Sequence, residues 1–402
     1  MQVFEKGSSK PVLFALAVAF NLGLVFLSIP SAIDRLMVIY HISYLHISIL
    51  ISALFWSHAL MQIPAGMIAD RIGVRRAIFL CLCFLCLGNL FPVFWTNFPA
   101  AIAARVIAGI GTGLGFVTSM KLTALHVPPN RVGMYQGFLG GVFSLGGILS
   151  YLVIPAVIGW GWEFTYLVPL ATSLCLVAFM FQVRLKPAPS DSPRPLLSLG
   201  RVFLVREGWI LGAYHAIAWG SIINLGNWIP SLLADAAKKA TTTEMAWGGA
   251  LVMLISGLGR MSGGLVLLRV SSLTVACGSL LILAAIFIVL FVTHTTGLIL
   301  ALALLAAWFS SINFGALFQL ASQSVPTESL ATMMGFINFL ANLSAILVAV
   351  LFGWLRETTG SFTWAFPILS LFALLAVLFG QGRLRRFQKT CLAAGECIEV
   401  RR

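Results

Sequence analysis

Apolar runs of about 20 residues follow one another along the chain, separated by short polar turns. A run of that length spans the ~30 Å apolar core of a bilayer at ~1.5 Å of rise per residue. The runs fall near 11–33, 46–69, 77–96, 98–120, 135–158, 163–183, 208–233, 245–268, 273–293, 297–320, 330–355 and 362–382. They predict twelve membrane-spanning helices and leave no stretch for a soluble domain. The longest polar break, RLKPAPSDSPRPLLSLGRVFLVRE at 184–207, is rich in proline and basic residues and predicts a cytoplasmic linker. It separates an N-terminal six-helix bundle (1–183) from a C-terminal one (208–383), which is followed by a basic cytoplasmic tail (384–402). Within the linker, LLSLGRVFLV is apolar but too short to span and predicts a surface helix.

Composition agrees with the pattern. Of 402 residues, 60% are hydrophobic and 9% charged, against about 25% charged in a soluble protein. The net charge of +13 would suggest nucleic acid in a soluble chain; here its placement matters more. With the N-terminus in the cytoplasm, nineteen basic side chains fall on the cytoplasmic side. Four, Arg35, Lys238, Lys239 and Arg356, fall on the other. That bias predicts a multi-pass protein of the plasma membrane, a bacterial inner membrane, with both termini cytoplasmic and no nucleic-acid partner. The run from Pro11 to Ile33 lacks a cleavage pattern and is long enough to span, so it predicts a retained helix. Cys81, Cys83 and Cys86 lie in an apolar helix without histidine or carboxylate beside them, which predicts packing rather than a metal site. No nucleophile–base pair, metal cluster or phosphate loop points to an enzyme, and no cofactor is expected. The expected partners are the lipid bilayer and a small molecule, bound by a monomer.

GMIADRIGVRR at 66–76 follows the second run. Gly66 lets two helices approach closely, and Asp70 and Arg71 can pair with neighbouring side chains and helix ends. Gly66, Ala69, Asp70, Arg71, Gly73, Arg75 and Arg76 resemble the loop 2–3 signature of the major facilitator superfamily. The second half carries a degenerate copy, in which Gly264 corresponds to Gly66, Arg269 to Arg71 and Ser271 to Gly73, while Leu268 replaces Asp70. GWGWEF at 159–164 and GSFTWAF at 360–366 open the sixth and twelfth runs and support the register. Arg105, Gly109, Gly111 and Gly113 resemble the superfamily's helix 4 motif. The resemblance implies an all-α integral membrane protein of twelve helices, in two pseudo-symmetric six-helix bundles related by an axis along the membrane normal. It implies a secondary transporter, with Gly66, Asp70, Arg71, Gly73, Arg75, Arg76, Arg105, Gly109, Gly264 and Arg269 serving structure and gating.

Two basic residues, Arg105 and Arg260, stand inside the predicted spans, and no acidic residue lies deep in them. A buried unpaired cation costs several kcal/mol, which a bound anion would relieve. The competing expectation is that Arg260 bonds carbonyls or snorkels to the helix end. Its counterpart in the first half is Gln62, one turn from His58. An arginine at this position resembles the anion-binding arginine of monocarboxylate and oxalate/formate facilitators. Asn338 and Asn342 resemble a pattern of organic anion:cation symporters. Arg260, Gln62, His58, His215, Asn224, Asn338 and Asn342 are therefore candidate substrate contacts. His58, His215 and Asp34 are candidate proton carriers. The expected function is transport of a small anion, such as a monocarboxylate or other organic anion, coupled to a proton. Two alternatives stay open: efflux of amphipathic compounds, although GFLGGVFSLGGILS lacks the Gly-Pro pair of drug antiporters, and a sensor without flux.

Overall fold

A computed structural model describes residues 10–42, 44–183, 200, 202–237 and 247–393. Among these residues every regular element is helical. The helices are α1 (Lys10–Leu27), α2 (Ile33–Tyr40), α3 (Tyr44–Ile72), α4 (Val74–Phe94), α5 (Phe98–His126), α6 (Val132–Val157) and α7 (Phe164–Phe181). They continue with α8 (Arg206–Ala237), α9 (Trp247–Val266), α10 (Ser272–Val292), α11 (Thr296–Ile312), α12 (Phe314–Ser324), α13 (Leu330–Thr359) and α14 (Ala365–Ala393). Among the described residues ten helices are long and apolar enough to cross a membrane. Of the linker 184–207, residues 200 and 202–207 are described, with Gly200 and 202–204 helical where a surface helix is expected; the rest of the linker and the end of the tail lie outside the described residues.

Helix ends follow local chemistry. Asn97 caps α5, its side chain accepting from the Ala100 N–H at 2.9 Å, with a proline in the first turn. Ser271 caps α10 by accepting from the Thr274 N–H at 3.2 Å. Gly73, which precedes α4, has φ 82°, a conformation glycine adopts without Cβ strain. Its expected counterpart Ser271 has φ −65° and needs no glycine, so the second copy of the signature can diverge there.

Two predicted spans are broken. The first, expected to run from 11 to 33, ends at Leu27, and a short 3-10 turn at Pro30–Ala32 leads into α2. Pro30 has no N–H to give the Phe26 carbonyl, so the α-helical ladder stops there. The tenth, expected over 297–320, is interrupted at Asn313 between α11 and α12.

The contacts divide the chain into two units, neither of them contiguous in sequence. The first comprises Met1–Val127, Val142–Val202 and Thr327–Gly335; the second comprises Pro128–Gly141, Phe203–Pro326 and Phe336–Arg402. Part of the first unit's core gathers Ile29, Leu36, Tyr40, Leu50, Ala101, Ile154 and Tyr166, with the Tyr40 and Tyr166 hydroxyls bonded at 2.9 Å. In the second unit, α8 is tied to α13. The Asn224 amide donates to the Ala345 carbonyl and the Ser344 hydroxyl to that of Ala216, at 2.8 and 2.6 Å. Ser370 ties α14 to α10 through the Ala284 carbonyl at 2.9 Å.

Candidate functional site

The two membrane arginines have different surroundings. Arg105 on α5 is 1% exposed. Its guanidinium donates to the Val25 carbonyl at 3.1 Å, the Phe26 carbonyl at 3.3 Å and the Ser28 hydroxyl at 3.4 Å. Those carbonyls belong to the last turn of α1, where Pro30 ends the ladder and leaves acceptors open. A side chain about two turns into a neighbouring helix thus serves as the C-terminal cap of α1.

Arg260 on α9 is 4% exposed and so does not snorkel. Its guanidinium carbon lies 4.7 Å from the Trp219 ring centre and 5.0 Å from that of Phe314. Among the described residues its one hydrogen bond is from Nη1 to the Gly140 carbonyl, at 3.5 Å, the outer limit of such a bond. No carboxylate among the described residues pairs with it. Two aromatic faces supply up to about 2 kcal/mol each when desolvated. They do not satisfy the five N–H donors, which lie in the guanidinium plane.

His215 shares this surrounding. It stands one turn before Trp219 on α8, and its ring packs on Phe314 and Phe318 at 5.6 and 5.3 Å. The Asn338 side chain on α13 lies beside it. His215 Nδ1 is buried without a hydrogen-bond partner among the described residues. The structure therefore brings together Arg260, His215 and Asn338 of the expected candidates. Asn224 is engaged elsewhere, donating also to the Gly220 carbonyl at 2.8 Å, and Asn342 donates to the Asn338 carbonyl at 2.9 Å.

In the first unit His58 and Gln62 meet directly. The Thr112 hydroxyl donates to the Gly109 carbonyl at 3.0 Å, so its oxygen accepts from His58 Nδ1 at 3.1 Å. His58 Nε2 then holds a lone pair and accepts from Gln62 Nε2 at 2.6 Å; the same amide nitrogen is 3.3 Å from the His58 carbonyl. Phe26 and Phe116 pack edge-on against the ring.

Asp70 is 3% exposed at the end of α3. It accepts from Lys121 Nζ at 2.7 Å, the Ala331 N–H at 3.1 Å, the Thr332 N–H at 2.8 Å and the Thr332 hydroxyl at 2.5 Å. The carboxylate thus sits on the first turn of α13, where free N–H groups and the helix dipole favour negative charge. Gly66, one turn earlier, faces the Ala331 carbonyl, and Gly264 faces the Met134 carbonyl. Arg71, Arg75, Arg76 and Arg269 are exposed. Asp34 stands in the first turn of α2, and its side chain lies outside the described residues.

Sequence reasoning missed five partners. Trp219 and Phe314 looked like ordinary apolar positions, although Trp219 follows His215 at helical spacing. Thr112 and Thr332 gave no signal. Lys121, expected among the cytoplasmic loop charges, is 3% exposed and neutralised by Asp70. Asn313, a lone amide in an apolar run, marks the α11–α12 break; it is fully buried and neither side-chain atom has a hydrogen-bond partner among the described residues.

The chain is similar to known transporters over most of its length. A hexuronate transporter of Bacillus subtilis (strain 168) is 21% identical over 364 residues, covering 84% of this chain and 86% of that one. A probable galactarate/D-glucarate transporter of Escherichia coli (strain K12) is 23% identical over 390 residues, with 84% and 86% covered. A crystal structure of the transporter FucP in the outward conformation superposes with a TM-score of 0.78 at 15% identity, covering 93% of this chain and 98% of that one. The model of the Major Facilitator Superfamily matches residues 13–349. With that match over an all-helical, multi-pass architecture, the chain belongs to the Major Facilitator Superfamily of secondary transporters.

Proposed function

We propose that this transporter moves a small organic anion bearing a carboxylate, and that Arg260 binds the carboxylate. The observation that carries this reading is the contrast between the two membrane arginines. Arg105 has three acceptors; Arg260 has one at 3.5 Å and no carboxylate among the described residues. A cation buried in this way costs several kcal/mol, more than one weak bond returns. The stacked rings of Trp219 and Phe314 orient the guanidinium and leave its edge for an acceptor, and a carboxylate matches that edge in a bidentate fashion. Relatives named for hexuronate and galactarate, both carboxylates, support the same class. On the distribution of basic residues, we place both termini in the cytoplasm of a bacterial inner membrane.

The test is uptake of radiolabelled galacturonate and acetate by proteoliposomes. The wild-type protein is expected to carry at least one of them. Arg260→Ala is expected to lose that flux about a hundredfold, the scale of ~3 kcal/mol for removing a desolvated charge contact. Arg260→Lys is expected not to restore it, because an ammonium lacks the planar fork. Wild-type flux in Arg260→Ala would sink the proposal.

A further inference from the structure

A second buried group beside Arg260 has an unused valence. His215 is 4% exposed, lies one helical turn from Trp219 on α8, and packs against Phe314, the ring over which Arg260 also lies. The Asn338 side chain lies beside its imidazole, and Nδ1 has no hydrogen-bond partner among the described residues. A buried polar atom without a partner is costly to keep, and this one stands beside the candidate carboxylate anchor, where a ligand group can satisfy it. The rings of Phe314 and Phe318 hold the imidazole edge-on and fix where Nδ1 sits.

We infer that His215 Nδ1 recognises a hydroxyl group close to the carboxylate held by Arg260, so that the transported class is hydroxylated carboxylates rather than simple ones. The inference rests on the carboxylate reading of Arg260. A hydroxyl fits either imidazole tautomer, since it donates to a bare Nδ1 and accepts from a protonated one. A methylene fits neither and leaves Nδ1 unsatisfied.

Paired ligands that differ by one hydroxyl test this. Thermal-shift titration of the full chain in detergent would compare lactate with propionate and glycolate with acetate, since ligands stabilise by mass action. The wild type is expected to bind each hydroxy acid about tenfold more tightly than its partner, the scale of one net hydrogen bond. In His215→Phe that ratio is expected to fall to about one. In His215→Gln, which keeps a polar atom, it is expected to lie between. Equal wild-type affinities within each pair would overturn the inference, and so would discrimination that survives in His215→Phe. If His215→Phe does not fold, the wild-type and His215→Gln ratios still decide it. If the wild type binds none of the four acids, the inference is overturned; the carboxylate reading itself fails only if galacturonate is not carried either, which keeps the two failures distinct.

Discussion

Asp70 illustrates how one side chain concentrates stability. It meets an ammonium, two backbone N–H groups and a hydroxyl, all buried. Removing one partner of a buried pair strands the other, at a cost of about 3–5 kcal/mol. Asp70→Asn is therefore expected to lower the thermal midpoint in detergent, and Lys121→Met in the same background to recover part of the loss, as a coupled pair should. Additive losses would mean that the two side chains do not interact. The importance of Asp70 was legible in the sequence, because a carboxylate beside Gly66 and Gly73 in a basic loop is hard to explain otherwise. Its partners were not, since Lys121 is 51 residues away and Thr332 is 262. Arg260 is similar: the charge stood out in an apolar run, but the rings that orient it are indistinguishable from core aromatics until the helices pack.

Among the elements, span lengths were legible because a bilayer sets them, whereas the break after Leu27 was marked only by Pro30 and the break at Asn313 was not legible. Both lie within continuous apolar runs, and hydropathy does not register where a backbone ladder stops. Close helix approaches were legible as glycines, in the aligned pair Gly66 and Gly264. A Cβ at Gly66 would strike the Ala331 carbonyl and one at Gly264 the Met134 carbonyl, whereas Gly278 has nothing within 4 Å. Gly66→Ala and Gly264→Ala are thus expected to destabilise the protein. Gly278→Ala should be neutral or stabilising by up to ~1 kcal/mol, because alanine is the better helix former. Thermal unfolding of the three variants checks the order. If Gly66→Ala matched Gly278→Ala, the close contact with α13 would be refuted.

At the scale of the whole molecule, large apolar side chains such as Leu60, Leu152, Leu347 and Phe379 are exposed on the spanning helices, as a chain solvated by lipid requires. The first unit includes Thr327–Gly335, which lies far along the chain from the rest of it. A fragment of residues 1–202 is expected to be more protease-sensitive in membranes than the same residues in the full chain. Co-expression of residues 203–402 should restore protection, because they carry that segment. Equal sensitivity with and without the second fragment would contradict this. Biogenesis follows its own timetable as a result. At ~5–20 residues per second, the ribosome delivers Thr332 on the order of tens of seconds after Asp70. Lys121 follows Asp70 by 51 residues, and from then until the late segment emerges the carboxylate has its ammonium partner but no helix end, a half-satisfied anion for the insertion machinery to shelter.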